Sequence, residues 1–272
     1  MAADVHMLEA YGFLLPHPAG RGCGILWLHH REKGLSMRVT HLYHSGFIIE
    51  FADCTLLFDW FPTSSEQLSK DFALINPDRK LYVFVSHVHP DHYFSRIWKL
   101  AEWLPKTDPT FIVDGPIAGD APSGQDLDVL GCEPEQIYEV DERMELTTLN
   151  STDEGLAFCV DVNGKTVYHA GDLSVWWWPE RELELNQTSE KTCSYFLEVL
   201  EGKHIDLAML PITPRAGEDG DRGIELFMKQ VGADLVVPMH YADMRSEAME
   251  LAQSERLAPW RDRIRFDDQF EL

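Results

Sequence analysis

The stretch Leu81–His92, LYVFVSHVHPDH, limits the fold of this chain more tightly than any other. Leu81–Ser86 has the composition of a strand buried on both faces. It runs directly into His87, His89, Asp91 and His92. Side chains alternate along a strand, which predicts that His87 and His89 point the same way. Pro90 then ends the ladder and leaves Asp91 and His92 on a turn leading into a helix. Three imidazoles and a carboxylate within six residues form a metal-ligand pattern, and those donor types suit zinc, manganese or iron. A satisfied polar cluster at a strand end is the competing explanation, and so dense a group argues against it.

A histidine cluster of this kind needs partners from elsewhere in the chain. His169-Ala170-Gly171-Asp172 and Pro238-Met239-His240 both end predicted strands, so Asp172 can bridge two cations and His240 can complete the second. Around them the pattern is β-rich in two halves. The first has strands at Arg38–Tyr43, Phe47–Phe51, Thr55–Phe58 (closed by Asp59), Leu81–Ser86 and Phe111–Val113. A loop is expected between Asp59 and Leu81, and another over Gly115–Gln125. A helix with Phe94, Ile97, Trp98 and Ala101 on one face is closed by Pro105. The second half has strands at Tyr138–Val140, Met144–Leu149, Ala157–Val162 and Thr166–Tyr168, with Asn163-Gly164 as a hairpin turn. Helices near Ser189–Leu200, from Asp221 to Gly232, and at Ser246–Glu255 then alternate with strands Ile205–Leu210 and Asp234–Pro238. Two β-rich halves, each followed by helices, predict an α/β, αββα sandwich of two facing sheets with helices outside. Residues 1–36 read as a loosely attached extension, in which His29 and His30 are surface residues, and 37–272 as a single domain.

These motifs resemble the metallo-β-lactamase-fold hydrolases over Met37 to the last helix. The resemblance rests on His87-x-His89-x-Asp91-His92, the Gly171-Asp172 strand end, the late His240, and Asp59, whose counterpart in that family orders the metal site. It implies a dinuclear centre: His87 and His89 on one cation, Asp91, His92 and His240 on the other, Asp172 between them. The HAGD and HSG segments look most like small-molecule branches such as ascorbate-phosphate lactonases. One family ligand is missing, because no histidine lies between His92 and His169. Asp153, in Asn150–Gly155, is the natural stand-in, or else a turn residue beside a weak first site. A carboxylate there favours manganese or iron relative to zinc. His169 is a second candidate, but three residues before Asp172 it faces the other way on a regular strand and supports a ligand instead.

The implied activity is hydrolysis of a small ester, lactone or phosphodiester, with two divalent cations (zinc or manganese, or iron) providing a hydroxide and Asp91 as general base or water-orienting group. An iron oxidoreductase acting on a thiol or persulfide, and a non-catalytic binding member of the fold, are the alternatives. His44 can donate to substrate, support a ligand, or close a turn. Trp176, with Trp177 and Trp178, either walls a pocket or caps the core; Arg215 either clamps an anion or is solvated; Tyr241 either binds substrate or packs.

A net charge of −23 opposes polynucleotide and anionic membrane partners, leaving a small-molecule substrate. Five scattered cysteines without a C-x-x-C pair, no long apolar run and no leader pattern point to the cytoplasm. Oligomeric state has no signature in the sequence.

Overall fold

A computed structural model describes residues 36–272. The expected extension before Met37, with Cys23, His29 and His30, lies outside the described residues. The first half contributes β1 (Arg38–His41), β2 (Phe47–Glu50), β3 (Cys54–Phe58), β4 (Lys80–Val85), β5 (Thr110–Asp114) and β6 (Asp128–Cys132). The second contributes β7 (Ile137–Asp141), β8 (Met144–Asn150), β9 (Leu156–Val162), β10 (Lys165–His169), β11 (Leu207–Pro211) and β12 (Leu235–Met239), and β13 (Gln269–Glu271) closes the chain. Helices α1 (Ser65–Phe72), α2 (Leu100–Trp103), α3 (Gly115–Ala118), α4 (Leu183–Leu197), α5 (Arg222–Gln230) and α6 (Arg245–Leu251) lie between them.

One sheet runs β13-β1-β2-β3-β4-β5-β6 and the other β12-β11-β10-β9-β8-β7. Strand alternation divides the first sheet between two cores. Phe47 and Ile49 of β2 and Tyr82 and Phe84 of β4 join residues of the second sheet, such as Phe158 and Val160. Phe84 meets Phe158 edge-on at 5.4 Å between ring centroids. The alternate residues Ile48, Leu81, Val83 and Val85 pack outward under Ile97, Trp98, Leu100 and Ile117. On the far side of the second sheet, Tyr168 of β10 stacks on Phe227 of α5 at 4.9 Å. Helix, sheet, sheet, helix is the resulting layering, as the two-halves pattern predicted. Among the described residues no helix is long and apolar enough to cross a membrane. The four described cysteines, Cys54, Cys132, Cys159 and Cys193, are buried free thiols.

Several elements differ from the sequence reading, each for a local reason. α1 occupies the expected loop after Asp59; it has few apolar positions and is started by Ser64, whose hydroxyl accepts from the Gln67 N–H. Its Asp71 is buried and accepts from the Trp60 indole at 2.9 Å. β6 carries a glycine and is half exposed, and β13 is three residues long, so neither shows a strand period. β6 pairs parallel to β5, and β13 pairs antiparallel to β1. α3 takes up the start of the expected 115–125 loop. The helix expected to end at Pro105 is a 3₁₀ segment, Ser95–Lys99, followed by α2. α4 starts six residues before Ser189, because Leu183 and Leu185 are exposed and blur its apolar stripe. Asn163 and Gly164 have φ of 52° and 73°, the left-handed pair that the hairpin turn requires.

β4 stops at Val85, ahead of His87 and His89, so strand alternation is not what brings those two rings together. The strand exits of both sheets are stitched at one edge instead. The Leu156 N–H donates to the Ser86 carbonyl at 3.0 Å, and the His240 N–H to the His44 carbonyl at 3.1 Å. The approach is close enough to exclude side chains at two glycines. A Cβ on Gly155 would lie 2.2 Å from the Ser86 oxygen, and one on Gly171 2.4 Å from the Leu156 oxygen. Both glycines also have positive φ.

Candidate metal centre

Every side chain of the centre leaves a strand end at this edge. Asp59 follows β3, His87 and His89 follow β4, Asp153 lies between β8 and β9, Asp172 follows β10 and His240 follows β12. Asp59 is fully buried and organises the first group. It accepts from the Ser86 N–H at 2.8 Å and hydroxyl at 2.7 Å, and meets His92 Nδ1 at 2.7 Å. Burial alone would raise its carboxyl, but His169, His92 and His87 bring it to about 2. His87 Nδ1 sits 2.9 Å from the Ser86 hydroxyl. Each of these histidines is therefore fixed through one ring nitrogen, leaving the other aimed at the centre.

Asp172 stands between the groups, only 3% exposed. Its Oδ2 lies 3.5 Å from His87 Nε2, while its Oδ1 lies 3.3 Å from His92 Nε2 and 3.4 Å from His240 Nε2. Four donors bound tetrahedrally at about 2.1 Å from one cation would be roughly 3.4 Å apart. His87 Nε2 and His89 Nδ1 meet at 3.0 Å. At this edge three sets of donors have atoms within 4.8 Å of one another: His44, Asp91, His92 and His240; His87, His92 and Asp172; and His89, Asp153 and Asp172.

The residues fit cations by a second test. His92 Nε2, Asp172 Oδ1, His240 Nδ1 and both His44 ring nitrogens are buried without a hydrogen-bond partner among the described residues. Buried polar atoms are ordinarily paired, and a cation would satisfy His92 Nε2 and Asp172 Oδ1, which lie 3.3 Å apart. Charge agrees with this. Burial pushes the Asp172 carboxyl up to about 7. Burial, with His92 beside one and His44 beside the other, holds His87 and His240 down to about 3, in the neutral form that binds metal. Burial also opposes charge on His92, but the Asp59 hydrogen bond and the charges of Asp59, Asp172 and Asp91 outweigh it and raise His92 to about 9.

The remaining sequence candidates sort clearly. His44 lies with its Nε2 3.3 Å from Asp91 Oδ2 and its ring 4.3 Å from that of His240. Chiefly through that histidine, Asp91 is held well below the usual carboxylate range. His169 is engaged outside the donor sets: its Nε2 meets the Ser45 carbonyl at 2.9 Å, its Nδ1 accepts from the Gly171 N–H, and Phe58 stacks on it. Tyr241 is at the cleft wall, but its hydroxyl is 3.2 Å from His41 Nδ1, and His41 Nε2 meets the His44 carbonyl at 3.0 Å. The Tyr241 hydroxyl and the His41 ring thus form a brace behind His44. That brace supports strained backbone, since His44 and His240 have φ of 54° and 66°.

A cleft of about 890 Å³ opens over the centre, and His89, Asp91, Asp153, Asp172 and His240 form its floor. Trp176 and Trp178 line it, whereas Trp177 turns away to pack on the core beneath the Arg222 guanidinium. The tryptophan loop is pinned to α4 by Asn186, whose side chain bonds both the N–H and the carbonyl of Trp178. Arg215 also lines the cleft. The sequence reading missed Glu154, whose Oε2 lies 2.9 Å from His89 Nε2, on the side away from His87. Its position next to Asp153 was the available signal.

No family model matches the sequence. Among solved structures, the metallo-β-lactamase-fold protein YhfI from Bacillus subtilis superposes with a TM-score of 0.57 at 15% identity, covering 87% of this chain and 99% of that one. The chain is a metallo-β-lactamase-fold protein. Igni18, a metallo hydrolase from Ignicoccus hospitalis, shares the fold with a TM-score of 0.56 at 18% identity, over 87% of this chain and 98% of its own. By sequence, this metallo-β-lactamase-fold protein is 25% identical over 221 residues to a UPF0173 metal-dependent hydrolase of Heliobacterium modesticaldum, spanning 75% of this chain and 82% of the relative. CmlA, a diiron β-hydroxylase from Streptomyces venezuelae, also has the fold (TM-score 0.57, 12% identity, 87% of this chain and 54% of CmlA). The metallo-β-lactamase fold therefore does not by itself fix the reaction.

Proposed function

We propose that this protein is a metal-dependent hydrolase with two divalent cations, cleaving a small ester, lactone or phosphodiester. The observation that carries the reading is Asp172, whose two oxygens face different histidine groups at 3.3–3.5 Å. In this reading His87, His89 and Asp153 hold one cation, Asp91, His92 and His240 the other, and Asp172 both. The named hydrolases among its relatives and neighbours support the reaction class. When bound, the cations supply Lewis acidity and acidify a water at neutral pH.

The chain's own residues do the rest. Asp91 stays ionised and faces the cleft, so it orients the attacking water by accepting its proton in a hydrogen bond. Trp176 walls the substrate space, its indole donating to the Asp172 carbonyl at 3.0 Å and so tying the wall to the floor. Arg215 is assigned to substrate. Asp153 in place of an imidazole favours manganese or iron relative to zinc. The charge of −23 sets polynucleotides aside, and the free cysteines suit a cytoplasmic protein.

Protein purified without added metal should contain two cations per chain and cleave members of a p-nitrophenyl phosphodiester, lactone and thioester panel once zinc, manganese or iron is supplied. His89→Ala should abolish that activity, and Asp153→Ala should chiefly weaken metal retention. One iron per chain with oxygen consumption would transfer the protein to the oxidoreductases. Unchanged metal content and activity in both variants would refute the assignment.

A further inference from the structure

The cleft holds carboxylates, yet two arginines, Arg181 and Arg215, also line it. The chain has 46 acidic residues against 23 lysines and arginines, so a carboxylate partner is easily found elsewhere on it. Of the twelve described arginines, Arg38, Arg79, Arg143, Arg222, Arg245 and Arg256 have one, and Arg96, Arg261, Arg263 and Arg265 do not. Neither Arg181 nor Arg215 forms an ion pair with any described residue. Arg181 donates only to the Trp176 carbonyl, at 3.3 Å, which anchors it beside the aromatic wall. The Arg215 charge is felt at the Tyr43 hydroxyl, where it opposes the upward pull of burial, Asp243 and Asp91. Tyr43 and Arg215 both line the cleft.

Phe61, Trp176, Trp178 and Leu185 line the same cleft. Three carboxylates, Asp91, Asp153 and Asp172, line the cleft. Two divalent cations and two arginines together outweigh them, so the loaded cleft is a positive spot on a strongly negative molecule. Such a spot attracts small anions while the surrounding surface repels large ones.

We infer that the cleft takes an amphiphilic organic anion, a molecule whose carboxylate or phosphate is held by Arg181 and Arg215 while a flat apolar body lies against Trp176 and Trp178. The scissile bond is then at the other end, over Asp172. This rests on the hydrolase reading for the position of the reacting group, but the recognition itself is a binding property. The guanidinium fork matches both anions, and the aromatic wall separates them from inorganic ions.

The test uses the metal-loaded full chain and three matched probes: 4-phenylbutyrate, 4-phenylbutylphosphonate and neutral 4-phenylbutanamide. Binding is followed by tryptophan fluorescence, with Trp178→Phe as the check that the signal arises in the cleft. Both anions should bind at least tenfold more tightly than the amide. Arg181→Gln/Arg215→Gln should remove most of that advantage while leaving amide binding unchanged, and Arg261→Gln, outside the cleft, should change nothing. The stronger of the two anions identifies the headgroup. An advantage that survives in the double variant would mean that the cations alone take the anion, and equal binding of amide and anions would mean a neutral ligand; either overturns the inference. Failure of the ester panel with the anion preference intact would refute hydrolysis alone.

Discussion

Glu154→Ala isolates a single contact at the centre. His89 has two ring nitrogens: Nδ1 faces His87 Nε2 at 3.0 Å, and Nε2 meets Glu154 Oε2 at 2.9 Å. With the Glu154 carboxylate accepting from Nε2–H, the imidazole is fixed as the tautomer whose free lone pair, on Nδ1, points at the cation. Removing such an outer partner typically weakens metal affinity by roughly 10–100-fold. Glu154 and His89 are 48% and 41% exposed at the side chain, so water replaces part of the lost contact. The expected loss is therefore at the low end, about tenfold or ~1.4 kcal/mol. Competition with a chromophoric chelator should show it in one of two binding steps, the one assigned to His87, His89 and Asp153. Glu154→Gln, whose amide oxygen still accepts, should recover most of the affinity. Unchanged or tighter binding in the alanine variant would mean that Glu154 is a bystander or competes with the cation for His89, and the orientation argument would fail.

Three further outcomes follow from the same geometry. In the metal-free protein Asp172 and His92 titrate above their unfolded values, at about 7 and about 9, so their stabilising protonation is lost as pH rises through that range. Metal uptake displaces those protons and strengthens with pH. The difference in melting temperature between loaded and metal-free protein should widen from pH 7 to 9; a constant or shrinking gap in calorimetry contradicts the assignment. Gly171→Ala should lower stability by more than ~3 kcal/mol in denaturant titration, through clash and backbone strain together. Gly202→Ala, with φ of 79° but nothing within 4 Å of a new Cβ, should cost only about 1 kcal/mol, and similar losses in the two would refute the close-approach argument. Asp153→His should move metal content of cells grown on mixed metals toward zinc.

How much of this was legible in sequence depended on how local each signal was. His87–His92 could be read because the donors are adjacent in the chain, and Asp172 and His240 because each follows an apolar strand run. α1 escaped because capping by Ser64 and the Asp71–Trp60 bond hold it more than any apolar stripe does. β13 escaped because its partner β1 lies some 230 residues earlier, and pairing at that distance leaves no periodic trace in three residues. The fate of the three tryptophans turned on α4: Asn186 fixes the loop so that alternate rings face the cleft and the middle one the core. Glu154 and the Tyr241–His41–His44 brace depend on which ring nitrogen is already engaged, and that is a property of three dimensions only.

The two sheets share no backbone ladder, yet His87, His89 and His92 come from one and Asp153, Asp172 and His240 from the other. Cations held between them would act as rivets across the sandwich seam. Heat or denaturant that lets one sheet slip on the other by an ångström or two would then release metal before either sheet melts, making metal loss the first sign of unfolding.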